Sequence, residues 1–167
     1  MLRIRLGELG DLPRLETIER ETAAMFPPST LPPDLAQPMP QAELAAGIDA
    51  SLLWVAEWVS AGPVGFVLCE RHTSSLHIRE MDVRPSFGRR GVGTRLLSQT
   101  CAAAKGCSLR FVTLTTFSHL PWNAPFYAKR GFVVAQTFEQ FPHLEAFLRH
   151  ERERGLENRI AMVKNAA

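Results

Sequence analysis

Cysteine is scarce in this chain, with only Cys69, Cys101 and Cys107 among 167 residues. An odd, unclustered set is typical of free thiols and not of a disulfide framework. All three lie in apolar or helical stretches, which predicts that the thiols are buried. Histidine, cysteine and acidic residues also show no metal-ligand spacing anywhere in the sequence, so we predict no metal site.

A strong net charge is absent as well, since the formal net charge is +2 at pH 7. A charge this small does not indicate nucleic acid as the main partner. No apolar run approaches the roughly 20 residues that a membrane helix needs, and the N-terminus lacks the apolar stretch of a signal peptide. We therefore expect a cytoplasmic protein that binds neither nucleic acid nor membrane. The length predicts one compact domain over residues 1–167.

The chain does contain a glycine-arginine turn between a strand and a helix. A strand is predicted over 76–83, and Arg84-Pro85 ends it. The turn reads Gly88-Arg-Arg-Gly91-Val-Gly93, and an apolar stripe after it predicts a helix that ends at Gly106. Backbone N–H groups at a helix N-terminus attract anions, and glycine lets a phosphate come close. The segment therefore predicts a site for a phosphorylated cofactor.

Hydrophobic periodicity along the whole chain predicts the order β-α-α-β-β-β-α-β-α-β-α-β. Strands are expected at 2–7, 52–59, 64–69, 76–83, 109–115, 132–137 and 159–163, and helices at 12–25, 41–48, 92–105, 124–130 and 143–154. Asp11 and Asn123 are the expected caps of the first and fourth helices. This order indicates an α/β fold with a mixed sheet and helices on both faces.

A second segment makes the function predicted from the glycine turn more specific. It reads Leu120-Pro-Trp-Asn-Ala-Pro-Phe-Tyr-Ala-Lys-Arg-Gly-Phe132. Together the two segments resemble the GCN5-related N-acetyltransferase (GNAT) family, which transfers acetyl groups from acetyl-CoA. In that family a Gln/Arg-x-x-Gly-x-Gly/Ala turn holds the CoA pyrophosphate, and an Asn…Phe-Tyr-x-x-x-Gly-Phe stretch carries a tyrosine beside the thioester sulfur. Here Gly88 stands at the Gln/Arg position, and the arginines are displaced to 89 and 90.

The resemblance implies a GNAT-like fold and acetyl-CoA as co-substrate. The implied sheet has about seven mostly antiparallel strands and splays between the fourth and fifth. The implied acceptor is a primary amine, carried by a small molecule, an amino-acid derivative or a peptide N-terminus, that attacks the thioester directly in a ternary complex. A homodimer is an assembly that the resemblance leaves open. The implied cofactor-binding residues are Met81, Asp82, Val83, Gly88, Arg89, Arg90, Gly91, Val92, Gly93, Thr94, Asn123 and Tyr127.

Two residues are candidates for catalytic proton transfer. Tyr127 is the only tyrosine, and a phenol with a pKa of about 10 can donate a proton to the departing CoA thiolate. On the fourth strand, alternation puts His77 and Arg79 on one side and Glu80 and Asp82 on the other. We favour Glu80 as the base that accepts the amine proton, with His77 or a chain of waters as the alternatives.

Two other functions compete with acetyl transfer. A dinucleotide-binding domain is disfavoured, because the turn follows several strands and no acidic residue ends a following strand about 20 residues later. A non-catalytic CoA-binding sensor or interaction module of the same fold stays open. Only Asp34 is charged within the proline-rich segment 27–40, so the sequence shows no acidic tract for a cationic polyamine. The acceptor is therefore not predicted from the sequence.

Overall fold

A computed structural model describes residues 1–167, and seven of its segments form one mixed sheet. The strands are β1 (Leu2–Leu6), β2 (Leu53–Trp58), β3 (Gly62–Arg71), β4 (Ser75–Val83), β5 (Phe111–Phe117), β6 (Val133–Val134) and β7 (Arg159–Asn165). Their order in the sheet is β1-β2-β3-β4-β5-β7-β6. β4 and β5 are parallel, whereas β2 is antiparallel to β1 and β3, and β7 is antiparallel to β5 and β6. This sheet confirms the predicted fold class.

Five α-helices accompany the sheet: α1 (Leu12–Ala23), α2 (Gln41–Asp49), α3 (Val92–Gly106), α4 (Ala124–Ala128) and α5 (Pro142–Glu153). α1 and α2 pack together, α2 also contacts β2, and α5 contacts both β5 and β7. None of the helices combines the length and the apolar character needed to cross a membrane. The helices thus follow the predicted order, and their ends differ from the predicted ones by a few residues.

The chain forms two compact units, and the single domain over residues 1–167 stays a prediction. The first unit comprises Met1–Glu70 and Arg79–Thr100, and the second comprises Arg71–Ile78 and Cys101–Ala167. The core of the first unit gathers side chains from α1, α2, β2 and β3, namely Leu15, Ile18, Leu44, Leu53, Val55, Phe66 and Leu68. The core of the second unit includes Phe141, Leu144, Ala161 and Val163. Burial of such apolar side chains is the main favourable contribution to folding.

The pairing between β4 and β5 covers only the beginning of β4. It runs from Ser75 opposite Phe111 to Ile78 opposite Leu114. β4 then continues to Val83 and β5 to Phe117 beyond the last of these pairs. The parallel pairing therefore involves the first four residues of β4 and the first four residues of β5.

The sixth strand is shorter than predicted. The sequence predicts a strand over 132–137, but β6 contains only Val133 and Val134, both exposed at the edge of the sheet. The Ala135 amide still donates to the Ala161 carbonyl at 2.9 Å. The chain then leaves the strand direction, and Phe138 packs on the core of the second unit. Burial of that ring ends the strand.

Two further local predictions need correction. The Asp11 side chain does not cap α1, because it pairs with the Arg5 guanidinium at 2.8 Å and accepts the Glu8 amide at 2.9 Å. All three thiols are free as predicted, but only Cys69 is buried, and Cys101 and Cys107 are half-buried.

Candidate functional site

The turn before α3 depends on left-handed backbone. The φ angle is +60° at Arg89 and +80° at Gly91. A Cβ atom added to Gly91 would meet nothing within 4 Å, so backbone conformation, and not crowding, is what requires glycine there. α3 begins directly afterwards, and the Arg95 amide donates to the Gly91 carbonyl at 3.0 Å.

This geometry gives the turn the properties of an anion site. The amides of Val92 and Gly93 lie in the first helical turn, where no carbonyl of the helix can accept them. The positive end of the helix dipole lies at the same place. The Gly88 amide, by contrast, donates to the Pro85 carbonyl at 3.1 Å, so this amide is already hydrogen-bonded within the turn. The amides that can face a phosphate group therefore begin after Gly88.

The arginines around the turn differ in how they are held. The Arg90 guanidinium lies 5.1 Å from the ring centre of Phe87 and 5.7 Å from that of Trp58. Arg84 donates to the Glu21 carboxylate through Nε at 2.8 Å and Nη2 at 3.1 Å. Arg89 is exposed. Contact with an aromatic face leaves the charge of a guanidinium intact, so Arg89 and Arg90 both contribute positive charge to the turn.

Two carboxyl groups lie near the end of β4. Asp82 is only 6% exposed and Glu80 is partly buried, as are Met81 and Val83. The side chains of Glu80 and Asp82 are hydrogen-bonded to each other. Burial and then the negative charge of Glu80 raise the pKa of Asp82 well above its usual value. A hydrogen bond between two carboxyl groups requires a shared proton, so the pair carries about one negative charge.

A third carboxyl group, which the sequence analysis missed, belongs to Glu19 of α1. It is 7% exposed, and its Oε2 accepts the Met39 amide at 2.8 Å. Its Oε1 is buried and has no hydrogen-bond partner. Burial, together with the charge of Glu80, raises the pKa of Glu19 to about 7. We call Glu19, Glu80 and Asp82 the carboxyl cluster, because the charge of Glu19 also raises the pKa of Asp82.

A signal for Glu19 was present in the sequence. The residue sits within the apolar stripe of α1, beside the fully buried Leu15 and Ile18. A charged residue on the buried side of a helix is rare unless it has a specific partner or function.

Tyr127 lies in α4, within the second unit. Its side chain is buried, and the ring meets Phe126 and Phe132 edge-on at centroid distances of 5.2 and 5.6 Å. Asn123 occupies the predicted N-cap position, and its carbonyl accepts the Tyr127 amide at 3.1 Å. The Asn123 side chain makes no capping bond, so its predicted role as a side-chain cap is wrong. The packing around the ring fixes the orientation of Tyr127.

His77, the alternative base, is built into the packing of the second unit. Its Nδ1 lies 2.9 Å from the Thr113 hydroxyl, and the same hydroxyl lies 3.0 Å from Nε2 of His143. The His77 ring stacks on Phe147 at 4.5 Å, and the His143 ring stacks on His72 at 3.9 Å. We call His72, His77 and His143 the histidine cluster. Its rings are held by stacking and by hydroxyl groups.

A family model described as an acetyltransferase (GNAT) domain matches residues 49–134. The match covers more than half of the chain and includes β4, the glycine turn and Tyr127. The chain belongs to the GNAT acetyltransferase family.

Solved structures of other acetyltransferases share this GNAT fold. A PaiA N-acetyltransferase from Thermoplasma acidophilum in complex with coenzyme A has a TM-score of 0.74 and 17% identity, and the alignment covers 99% of each chain. The ribosomal-protein-S18-alanine N-acetyltransferase from Escherichia coli has a TM-score of 0.72 and 18% identity over 100% of this chain and 95% of that one. An N-acetylglutamate synthase from Neisseria gonorrhoeae, complexed with coenzyme A and N-acetyl-glutamate, has a TM-score of 0.73 and 19% identity. That alignment covers 100% of this chain and 35% of the synthase chain. Likeness at these identities establishes the fold and leaves the acceptor open.

Proposed function

We propose that this GNAT protein is an acetyl-CoA-dependent N-acetyltransferase that acts on a primary amine. The observation that carries the proposal is the left-handed turn that opens α3, with φ of +80° at Gly91, inside the residues that match the family. Such a turn presents helix amides and a positive dipole end to a pyrophosphate. The PaiA relative was solved with coenzyme A, which supports the same cofactor here. Acetyl-CoA would supply an activated acetyl thioester.

Each proposed cofactor contact corresponds to a feature of the fold. The amides from Gly91 to Thr94 would hold the pyrophosphate, and the charges of Arg89 and Arg90 would add to that attraction. The backbone of Met81–Val83 would hold the pantetheine arm, since a strand presents its N–H and C=O groups along its edge. Asn123 would bind the same arm through its side chain, which does not cap α4.

Glu80 is the proposed base. An amine acceptor arrives mostly as its ammonium ion, and an ammonium nitrogen has no lone pair with which to attack. Glu80 would take one proton, so that a carboxylate and an ammonium become a carboxylic acid and a neutral amine. The amine nitrogen then forms the new C–N bond as the C–S bond breaks. Tyr127 would give its hydroxyl proton to the departing sulfur, so that CoA leaves as a thiol. The resulting phenolate would take the extra proton that the nitrogen of the new amide carries, which restores Tyr127 and completes the proton balance.

Thiol release from acetyl-CoA, followed with a panel of amines, tests this function. An active enzyme releases one CoA thiol for each amine acetylated, and the product gains an acetyl group in its mass spectrum. If CoA binds but no amine releases thiol, the chain is the non-catalytic CoA-binding module of the same fold. If CoA does not bind, the assignment of the turn is wrong.

The Tyr127→Phe variant tests the proposed acid separately. The ring packing is retained, so melting temperature and CoA affinity should stay near the wild-type values. Turnover should fall by roughly 10- to 1000-fold, mainly in kcat, because the contact matters most when charge develops on sulfur. The Phe126→Leu variant, which changes the neighbouring ring and no hydroxyl, is the matched control. Wild-type turnover in Tyr127→Phe would leave this residue with a packing role only.

A further inference from the structure

The carboxyl cluster contains a buried oxygen that the fold leaves unsatisfied. Oε2 of Glu19 is fixed by the Met39 amide, whereas Oε1 is buried and has no hydrogen-bond partner. A buried acceptor without a donor destabilises the folded protein. The neighbouring stripe positions of α1 are the apolar Leu15 and Ile18, so the bond to the Met39 amide accounts for one oxygen of Glu19 and leaves Oε1 without a structural role.

The acidic neighbours of Glu19 add to the destabilisation that its unsatisfied oxygen causes. Glu80 and Asp82 are both acidic, and the charges of Glu19 and Glu80 act on Asp82. Arg20, the nearest residue of opposite charge on α1, donates to the Glu16 carboxylate at 2.9 Å. With the proton that Glu80 and Asp82 share, the ionised cluster carries a net charge of about −2. A ligand with two positive charges would neutralise that charge and supply donors for the unsatisfied oxygen.

We propose that the acceptor is a small alkyl diamine, bound as a dication, and that Glu19 is the specificity-determining residue that binds the ammonium group which does not react. This inference rests on the proposed acetyl transfer. Glu80 is the partly exposed member of the cluster, so a solute reaches the cluster at Glu80. One ammonium meets Glu80 and loses its proton there, while the second stays charged and donates to Glu19 Oε1. A monoamine has no second ammonium group, so Glu19 has no cationic partner once the single ammonium has lost one proton to Glu80.

The same charges disfavour acceptors that carry a carboxylate. A free amino acid would bring its own negative charge beside Glu80 and Asp82, and like charges at such distances cost several kcal/mol. Among the acceptors that the family resemblance leaves open, the cluster therefore selects a dication without a carboxylate. The sequence analysis found no acidic tract because the three carboxylates come from α1 and β4, which are far apart in the chain.

Calorimetric titration at pH 8, with CoA present, tests the inference on three probes of equal length. The probes are 1,4-diaminobutane, butylamine and 4-aminobutanoate, which place an ammonium, a methyl group or a carboxylate at the far end. Diaminobutane should bind at least about tenfold more tightly than either of the others, the scale of one partly buried ion pair. In Glu19→Gln this preference should shrink to about twofold. Equal affinity for diaminobutane and butylamine in the wild-type protein would overturn the inference.

Glu16→Gln is the matched control for Glu19→Gln. Both changes remove one carboxylate from α1, but Glu16 bonds to Arg20 and Gln41 outside the carboxyl cluster. The control should keep the wild-type preference for the diamine, and thermal melts should show that both variants fold. A preference that survives in Glu19→Gln, or is lost equally in Glu16→Gln, contradicts the role of Glu19.

The acetyl-transfer assay separates failure of this inference from failure of the proposed function. If the protein binds CoA and acetylates another amine but shows no diamine preference, only the inference about Glu19 is wrong. If CoA neither binds nor reacts with any amine, the proposed function itself is wrong.

Discussion

Each unit of this protein contains a cluster of three buried or partly buried titratable side chains, and the two clusters are in opposite electrostatic situations. In the histidine cluster the rings stack at 3.9 and 4.5 Å, and the Thr113 hydroxyl bridges two of them. Burial, and then the charge of His72, lower the pKa of His143 to about 4, so this ring is neutral at pH 7. The carboxyl cluster instead places like charges together and leaves the buried Oε1 of Glu19 without a hydrogen bond.

This electrostatic difference indicates which cluster has a packing role and which has a functional role. Imidazole rings with stacking partners contribute apolar area and hydrogen bonds, as other core side chains do. Carboxyl groups that raise one another's pKa lower the stability of the folded protein, and such arrangements concentrate where a ligand or substrate restores the balance. We therefore propose that the chemistry takes place at the carboxyl cluster and that the histidine cluster has a structural role. The following variants test that division, from the largest expected effect to the smallest.

Replacing the proposed base should have the largest effect. In Glu80→Gln the hydrogen-bonding shape is kept but no proton can be accepted, so turnover should fall by about 100- to 10,000-fold. The measurement is CoA thiol release at saturating acetyl-CoA, with melting temperatures recorded in parallel. His77→Gln tests the alternative base in the histidine cluster. If His77→Gln loses turnover while Glu80→Gln keeps it, the base is His77 and the division between the clusters is reversed.

Glu19→Gln should stabilise the protein at alkaline pH. The pKa of Glu19 is about 7 in the folded protein against 4.5 for an ordinary glutamate, so the folded state holds its proton more tightly. Stability from this group is present below pH 4.5 and is lost as the pH rises through 7. Between pH 5 and pH 8 the free energy of unfolding of the variant should therefore rise by about 2 kcal/mol relative to that of the wild type, since one pKa unit corresponds to about 1.4 kcal/mol.

Urea denaturation at the two pH values measures that gain. Glu16→Gln again serves as the control, because the Glu16 carboxylate bonds to Arg20 and Gln41 and its charge raises the pKa of Glu19 less than the charge of Glu80 does. A stability difference between Glu19→Gln and wild type that is the same at pH 5 and pH 8 would show that the Glu19 carboxylate is not strained by its neighbours.

The histidine cluster should respond to pH in the opposite direction. His143 has a pKa of about 4 when folded against 6.5 for an ordinary histidine, so the unfolded chain binds the proton more tightly. Stability from this group is present above pH 6.5 and is lost as the pH falls through 4. Between pH 7.5 and pH 5 the free energy of unfolding of the wild-type protein should fall by about 2 kcal/mol more than that of His143→Gln.

As the pH rises over this range, ionisation of Glu19 lowers the free energy of unfolding and deprotonation of His143 raises it. The pH dependence of wild-type stability alone therefore does not separate the two contributions. The stability difference between His143→Gln and wild type, taken from urea midpoints at each pH, isolates the histidine. A difference that is independent of pH would mean that folding does not shift the pKa of His143.

These two clusters also show what the sequence could predict. The turn at Gly91 was predictable because its signals are local: glycine spacing, the preceding strand and the helical stripe that follows. Tyr127 was identified from a motif within one short segment. Glu80 could be placed on a strand face by alternation alone, but its neighbour Glu19 is 61 residues away in the chain, counted from the sequence numbers. Contacts between distant segments leave no periodic signal.

The histidine cluster was missed for the same reason. The sequence analysis treated His77 as a possible base because its strand neighbours were visible and its packing partners were not. Thr113 lies on β5 and His143 on α5, so the hydroxyl bridge forms only when those elements come together. The length of β6 was overpredicted because nothing in residues 132–137 signals that Phe138 must turn inward.

The smallest expected effect concerns the hydroxyl that joins the histidine cluster. Thr113 Oγ1 lies 2.9 Å from His77 Nδ1 and 3.0 Å from His143 Nε2. A hydroxyl has one hydrogen, so it donates to one ring nitrogen and accepts from the other. Thr113→Val keeps the branched shape and removes both bonds, which should cost about 1–2 kcal/mol of unfolding free energy. Turnover should stay at the wild-type value if the cluster is structural.

Thr100→Val is the matched control for this change. Its hydroxyl is equally buried but donates to the Leu96 carbonyl within α3, at 2.9 Å, so its loss leaves no histidine without a hydroxyl partner. We expect the control to lose about half as much stability, because the carbonyl keeps its helical bond. Urea midpoints and thiol release are measured on both variants. If Thr113→Val lowers turnover and leaves stability unchanged, the histidine cluster takes part in the chemistry, because a packing element cannot act on the reaction without first acting on the fold.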